Sequence, residues 1–405
     1  MKLPVDTKSF SLIIVVLIIM VSLSSVIIYH EANENKTETT NGYQMVARAN
    51  TEGSGIYINV DVLSERGGPS AFYTDNGDGT YTIDATNKDA WGGLILGTPG
   101  AATIQHVQLQ QIASSMGLKW SLYTEGSTPS ADTVYYVGGM NNATNVLGNG
   151  IINGGCLWEP QFSLIIANEK YTQLALTNNV FPGHTCCVVA GMKDYMSSHV
   201  DVTERFLAAY VLGMRYVQDA LDGDTEKYEK LVEICMNHVS GISKATVEDA
   251  LANITYVDAD NPTGSLDDLK KDVGNLYDSL AAAGLLQHTI KDMGFNYTSQ
   301  FTNSFIDDAY LSNAIKRLDS DDTTLKTGNN ATLTVVCIGG DIHQIAIHVA
   351  NDLLFFKDYN LSVNVTTADS GPNVAVALQN GTGQFGLMGA PPATSTTVNS
   401  LLLHA

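Results

Sequence analysis

The sequence predicts an α/β fold with room for two domains, whose tail has the strand and helix order of a lobe's opening. Three observations carry this. The chain has 405 residues, of which 44% are hydrophobic, enough for two separate cores. Short apolar runs broken by glycine turns recur from Tyr43 to Val189. The tail then reads strand, glycine loop, helix, strand, which is how an α/β lobe opens rather than how it closes.

The first lobe-forming strand is expected at Tyr43 to Ala49, followed by Asn50-Thr51-Glu52-Gly53-Ser54-Gly55 and a second strand over Ile56 to Leu63. Asp75-Asn76-Gly77-Asp78-Gly79 lies between Phe72-Tyr73 and Tyr81-Thr82-Ile83, a hairpin signature. Leu94 to Leu96 is a buried strand, Gly97-Thr98-Pro99-Gly100 breaks it, and Ala101 to Met116 is helical. Further strands are expected at Val134–Val137, Gly155–Leu157, Leu174–Leu176 and Cys186–Val189. From Val202 the apolar spacing turns helical: Val202–Leu221, Lys227–Val239, Val247–Ile254, Leu266–Leu286 and Asn303–Leu318. Asp201, Asp224 and Ser265 are the expected N-caps. After the polar Ser320–Asn330 link come a strand at Leu333–Ile338, the turn Gly339-Gly340, a helix through Ala350 and a strand at Leu361–Val365.

The formal net charge is -21, with 21 Lys and Arg in total. That balance excludes a nucleic-acid partner, because phosphate binding needs clustered cations. The apolar Ser11–Tyr29 segment follows Lys2 and Lys8, and its length of about 19 residues is at the lower edge of a membrane span. The lysines place its N-terminal side in the cytoplasm, so it reads as a signal peptide or an uncleaved anchor, with Glu31–Asn41 as a stalk. The expected location is extracytoplasmic, anchored to the cell membrane or secreted. Eight Asn-x-Ser/Thr sequons agree with it, although an Asn- and Thr-rich chain makes several by chance. Five irregularly spaced cysteines form no disulfide framework and no CxxC metal pattern.

Six segments stand out: Gly340-Asp341-Ile342-His343-Gln344, Gly389-Ala390-Pro391-Pro392-Ala393-Thr394, Asn50-Thr51-Glu52-Gly53-Ser54, the run from Gly97 to His106, Trp158-Glu159-Pro160, and Pro182-Gly183-His184-Thr185-Cys186-Cys187. Together they resemble the substrate-binding proteins of the nitrate, sulfonate and taurine ABC importers, of the periplasmic binding protein type II fold. Phe305 to Leu311 is similar to their C-terminal helix. In that family the Asp341-His343 and Pro391-Pro392 segments come first. Here they come last, so the resemblance implies a circular permutation. It also implies residues 1–42 as signal or anchor and stalk, 43–60 with 181–405 as one lobe, and 61–180 as the other, with the crossings near Glu52-Gly53-Ser54 and Pro182-Gly183-His184.

The resemblance further implies an interlobe cleft that takes a small sulfonate-, nitrate- or taurine-like solute and delivers it to ABC permease membrane subunits. The chain would act as a monomer, without a cofactor, a resident metal or catalysis. The cleft residues it implies are Asp341, His343, Gln344, Ala390, Pro391, Thr394, Asn50, Glu52, Ser54, Thr98, Ala102, Thr103, Gln105, Trp158, Glu159 and His184. Their chemistry is consistent with that. Gly340, Pro391-Pro392 and Gly100 each lead into a helix whose first turn presents N–H groups and a positive dipole end to an anion. None of the six segments contains Lys or Arg, and their acids and imidazoles favour a zwitterion, or a neutral solute with an amine or heteroaromatic ring. Trp158 could stack on an amine and Glu52 or Glu159 could pair with it. Plainer roles stay open: Trp158 as core, Glu159 and Asp341 as helix caps, Cys186 and Cys187 as buried thiols. The alternatives are a metal-binding protein using His106, His184, His343 and Cys186, or a sensor domain of the same fold.

Overall fold

The β-branched run Ala331–Ile338 forms a strand whose neighbours on both sides also come from the tail: Leu361–Ala368 and Phe385–Gly389, each parallel to it. Parallel neighbours need a crossover. Helices Ile345–Asp352 and Gly371–Gln379 supply the two crossovers here. Phe385–Gly389 then pairs antiparallel with Cys187–Met192, which pairs antiparallel with Tyr43–Arg48. These make one five-stranded sheet that joins the start of the described chain to its tail. The computed structural model describes residues 42–259, 261 and 264–403; the apolar Ser11–Tyr29 segment lies outside them.

A second, six-stranded sheet orders Tyr171–Leu176, Ser54–Asn59, Gly154–Trp158, Ile95–Gly97, Thr133–Val137 and Lys119–Leu122. Strand alternation builds its two faces. Ile56 and Ile58 enter one core with Phe72, Trp91, Leu96 and Ile112. Tyr57 points the other way, against Leu157, Phe162, Ile165 and Tyr171. Because Ser54–Asn59 belongs to this sheet, the expected division at residue 60 does not follow the strand pairing.

The chain passes between the sheets twice, at Glu52–Ser54 and between Leu176 and Cys187, and the two passages run side by side. Glu52 N–H donates to the His184 carbonyl at 3.1 Å, Cys186 N–H to Asn50 at 3.3 Å and Ala49 N–H to Cys187 at 2.9 Å. Asn50–Glu52 also pairs with Ile254–Tyr256 from the helical block.

Several expected boundaries shift for local reasons. The strand expected to reach Leu63 stops at Asn59, whose side chain accepts the N–H groups of Asp61 and Val62 and starts the Val60–Glu65 helix. The single helix expected over Asn303–Leu318 is two, Thr298–Phe305 and Ala309–Asp319. Between them the backbone at Ile306 bridges to Met45, and Asp307 N–H donates to the Met45 carbonyl, extending the sheet edge. Val247–Ile254 ends earlier, at Ala252, because Ile254 opens a strand. Asp224 caps its helix through Lys227 N–H, whereas Asp201 and Ser265 fall inside theirs.

The last described residues return to the first. A Cβ at Gly42 would stand 2.4 Å from the Leu402 carbonyl oxygen, so the tail ends against the residue that opens Tyr43–Arg48. Arg205, on the Val200–Leu221 helix and 1% exposed, fastens the tail's first and second strands. Its guanidinium donates to Tyr359 O at 2.7 Å, Asn329 O at 3.0 Å and Asp201 Oδ2 at 2.9 Å. Arg205→Ala strands the buried Tyr359 carbonyl and frees the more exposed Asn329 carbonyl, so it is expected to cost about 2 kcal/mol in equilibrium urea unfolding, at ~1–3 kcal/mol per buried unpaired group.

Candidate functional site

Between the two sheets lies a small cavity of about 40 Å³ with walls from both. The six-stranded side contributes Thr103, Ile104 and Gln105 at the start of the Ile104–Ser115 helix, and Trp158 at the end of its strand. The five-stranded side contributes Ile338, Asp341 and His343 after the first tail strand, Ser370 and Gly371 at the next helix, and Gly389 and Pro392 at the last. Cys186 and Cys187 close it from the second passage between the sheets. These are carboxyl ends of strands and the loops beyond them, where open α/β sheets bind ligands.

Asp341 and His343 form the charged centre. Asp341 follows the Gly339-Gly340 turn and N-caps the short Ile342–Gln344 helical turn, with Oδ1 accepting His343 N–H at 2.9 Å. The same oxygen accepts His343 Nδ1–H at 2.7 Å, and Oδ2 accepts from Gln344 Nε2 at 3.3 Å. Burial alone pulls the His343 pKa down, but Asp341, Cys186 and Glu159 outweigh it and raise it to about 10. His343 is therefore an imidazolium at neutral pH. Its Nε2 is buried and without a hydrogen-bond partner among the described residues, and the residue lines the cavity. Gly53 makes room for it: a Cβ there would stand 2.1 Å from Nε2, and its φ of 86° is in the left-handed region.

The other acids are occupied. Glu159 is 0% exposed and spans the two lobes, accepting from Asn253 Nδ2 at 2.7 Å and from Ser163 N–H and Oγ. Burial raises its pKa, opposed by these same hydrogen bonds. Glu52 accepts Gly183 N–H at 2.7 Å and Thr255 Oγ1 at 3.2 Å, bracing the two passages. Neither lines the cavity. The expected pairing of Glu52 or Glu159 with a ligand amine thus meets carboxylates already committed to the fold. The segment of Asn253 carries a sequon, yet its amide is spent on Glu159.

Of the other residues expected in the cleft, Thr103, Gln105, Trp158, Asp341 and His343 meet at the cavity. His184 and Ala390 line a larger neighbouring groove. Asn50, Glu52, Ser54, Thr98, Ala102, Glu159, Gln344, Pro391 and Thr394 line neither. Several of these hold the wall. Ser54 Oγ accepts from Gln105 Nε2 at 2.9 Å, Asn50 Oδ1 accepts Cys187 N–H at 3.1 Å, and Gln344 Oε1 accepts Ile338 N–H at 2.9 Å. Thr98 faces His106 Nδ1 at 3.1 Å, and Trp120 Nε1–H donates to His106 Nε2. His106 is thereby consumed inside its lobe, and burial lowers its pKa to about 4.

The helix at Pro391-Pro392 departs from expectation. Its prolines have no N–H, and Ala390 N–H already donates to the Cys186 carbonyl at 2.8 Å. That first turn contributes shape to the cavity, and the anion-binding donors beside it are the starts of the Ile104–Ser115 and Gly371–Gln379 helices and His343. Ser370 and Gly371 were not legible as wall residues, since no charge or glycine-rich signature marks Ser370-Gly371-Pro372, whereas Pro392 belongs to a segment singled out in the sequence. Cys186 and Cys187 lie 3.9 Å apart at sulfur, and their contact lowers the Cys186 pKa and raises that of Cys187. No group of three His, Cys, Asp or Glu among the described residues is arranged to hold a metal ion, and His106 and His184 stand outside this cavity.

Two outcomes are expected. Gly53→Ala forces a Cβ into His343 at an unfavourable φ, and should cost about 2–4 kcal/mol in thermal or urea unfolding. The His343 pair gives a signed pH dependence. The folded pKa of about 10 exceeds the ordinary 6.5, so this contribution is complete below pH 6.5 and is lost as pH rises through 10. Urea midpoints measured across that window should fall for the native chain and fall less for His343→Asn. Equal slopes would mean that His343 does not carry the charge.

No protein-family model matches the chain. No curated protein matches it either. Among solved structures it is similar to the ligand-binding component of an ABC-type import system from Staphylococcus aureus, solved with zinc bound. That match has a TM-score of 0.43 and 15% identity, and covers 68% of this chain and 75% of the other. It is also similar to the periplasmic nitrate-binding protein NrtA from Synechocystis PCC 6803, with a TM-score of 0.49, 13% identity and 68% of each chain covered. Values this low assign neither a fold nor a ligand.

Proposed function

We propose that this chain is an extracytoplasmic solute-binding protein of an ABC importer, and that its ligand is a small anionic solute such as nitrate or a simple sulfonate. The observation that carries the reading is the cavity walled by both sheets, with a protonated His343 among its lining residues whose buried Nε2, packed against Gly53, has no hydrogen-bond partner among the described residues. A solute held there would be gripped by both lobes, and the two adjacent passages at Glu52–Ser54 and Phe181–Cys186 would serve as the hinge. The first-turn N–H groups of the 12-residue Ile104–Ser115 helix add positive potential on the opposite wall. With Glu52 and Glu159 engaged elsewhere, the balance favours an anion over the amine-bearing solute that the sequence alone suggested. Zwitterionic taurine remains compatible through its sulfonate end.

The volume is consistent with a ligand of few atoms, since about 40 Å³ is room for roughly three water-sized spheres. Delivery to permease subunits and attachment through Ser11–Tyr29 belong to the same proposal. So does the permutation, which is supported by Leu402 lying against Gly42 and by the tail strands completing the sheet of Tyr43–Arg48.

Calorimetry of the full chain with nitrate, methanesulfonate, taurine and an aminopyrimidine tests the ligand class. A small oxyanion should bind at one site, and His343→Gln should weaken it about 10- to 100-fold, the value of one charge-assisted hydrogen bond. Binding of the aminopyrimidine alone, or unchanged oxyanion affinity in His343→Gln, would overturn the reading.

A further inference from the structure

Beside the small cavity, and sharing Ile104 with it as a wall residue, is a groove of about 410 Å³. That is within the size range of small-molecule sites, roughly 300–1,000 Å³. It runs between the Ile104–Ser115 helix, the passage from Val180 to Thr185, and the Gly264–Ala282 helix. Three buried polar atoms of its lining residues stand out.

Gln108 is 2% exposed and lines the groove, yet both its Oε1 and its Nε2 are buried without a hydrogen-bond partner. A buried amide left unpaired at both atoms is costly, at about 1–3 kcal/mol for each group, and native folds rarely keep one without a use. The neighbouring Gln111 shows the ordinary solution, donating to Ser279 Oγ at 2.9 Å across the same groove. The third atom is His184 Nε2, also buried and unpartnered. His184 Nδ1 is 2.8 Å from the Phe181 carbonyl, so Nδ1 carries the proton and Nε2 presents a lone pair. Burial lowers the His184 pKa and keeps the ring neutral.

The groove carries no net charge. Its one charged wall residue, Asp272, is paired with Arg48 at 3.0 Å and accepts from Thr185 Oγ1 at 2.6 Å. Val107, Phe181 and Leu276 supply apolar surface for a flat body.

We propose that this groove is a second ligand site that binds a neutral solute with an amide or lactam edge. The solute's C=O accepts from Gln108 Nε2, the adjacent N–H donates to Gln108 Oε1, and a further N–H donates to His184 Nε2. Paired donor–acceptor recognition by a glutamine amide is a standard bidentate geometry. The proposal is independent of what the small cavity binds.

The test uses the full chain, with benzamide and uracil as neutral probes and benzoate and benzylamine as charged counterparts of benzamide. Benzamide and uracil should saturate a single site, and the charged pair should not. Gln108→Leu keeps the side-chain volume and removes an unpaired amide, so its melting temperature should hold or rise. Its affinity for the neutral probes should fall at least about tenfold, while its response to nitrate or methanesulfonate stays that of the native chain. Absence of binding by both neutral probes, equal binding by benzoate, or native affinity in Gln108→Leu would each overturn the proposal. Loss of oxyanion binding alone would instead bear on the small cavity.

Discussion

The Cys187–Met192 strand is the constraint on which the rest depends. It lies second in its sheet, antiparallel to both neighbours, with Tyr43–Arg48 on one side and Phe385–Gly389 on the other. All six of its residues are buried. Its backbone groups have no solvent to fall back on, so the two flanking strands must be present together. One comes from near the beginning of the chain and the other from its tail. Once this strand is paired, the segment just before it, Pro182 to Cys186, is fixed beside Asn50–Glu52, and both passages between the sheets are set. The cavity walls at Cys186, Cys187 and Gly389 follow from the same pairing.

Electrostatics then decides what the acids do. In a chain of net charge -21, the buried carboxylates at the interlobe region are each given specific donors. Glu52 takes Gly183 and Thr255, Glu159 takes Asn253 and Ser163, and Asp341 takes His343 and Gln344. Of these carboxylates only Asp341 lines the small cavity, and there it is paired with an imidazolium whose Nε2 has no partner among the described residues. An acidic protein can in this way present a locally positive pocket without using Lys or Arg. The expense of burying Asp341 and His343 is offset by their mutual hydrogen bond at 2.7 Å.

Much of this was legible because strand and turn chemistry is local. The β-branched Leu333–Ile338 run, the glycine turn after it and the Asp341 cap read correctly, and the Asp75–Gly79 hairpin closes as its turn residues require. The meeting of Thr103, Trp158, Asp341 and His343 was also anticipated, from the order of segments rather than from any single one. What failed depended on tertiary partners. Asn59 caps a helix where the apolar pattern suggested that the strand continued. Ile306 leaves its helix to pair with Met45. Glu52 and Glu159 look like ligand groups in the sequence because their partners, Thr255, Gly183 and Asn253, are distant along the chain. Gln108 gave no signal at all, since a glutamine inside an amphipathic helix carries no mark of whether its amide will be satisfied.

Strands from both ends of the described chain form one cooperative sheet. Native-state hydrogen exchange, followed by mass spectrometry at peptide resolution, reads that cooperativity. The amides of Val46–Arg48, Val188–Gly191 and Gly386–Met388 should exchange together, in the slowest class, through a single global opening. If the tail strands at Val335–Ile338 and Gly386–Met388 instead exchange orders of magnitude faster than Val188–Gly191, the tail is a separate unit, and the interlobe cavity built on it does not exist.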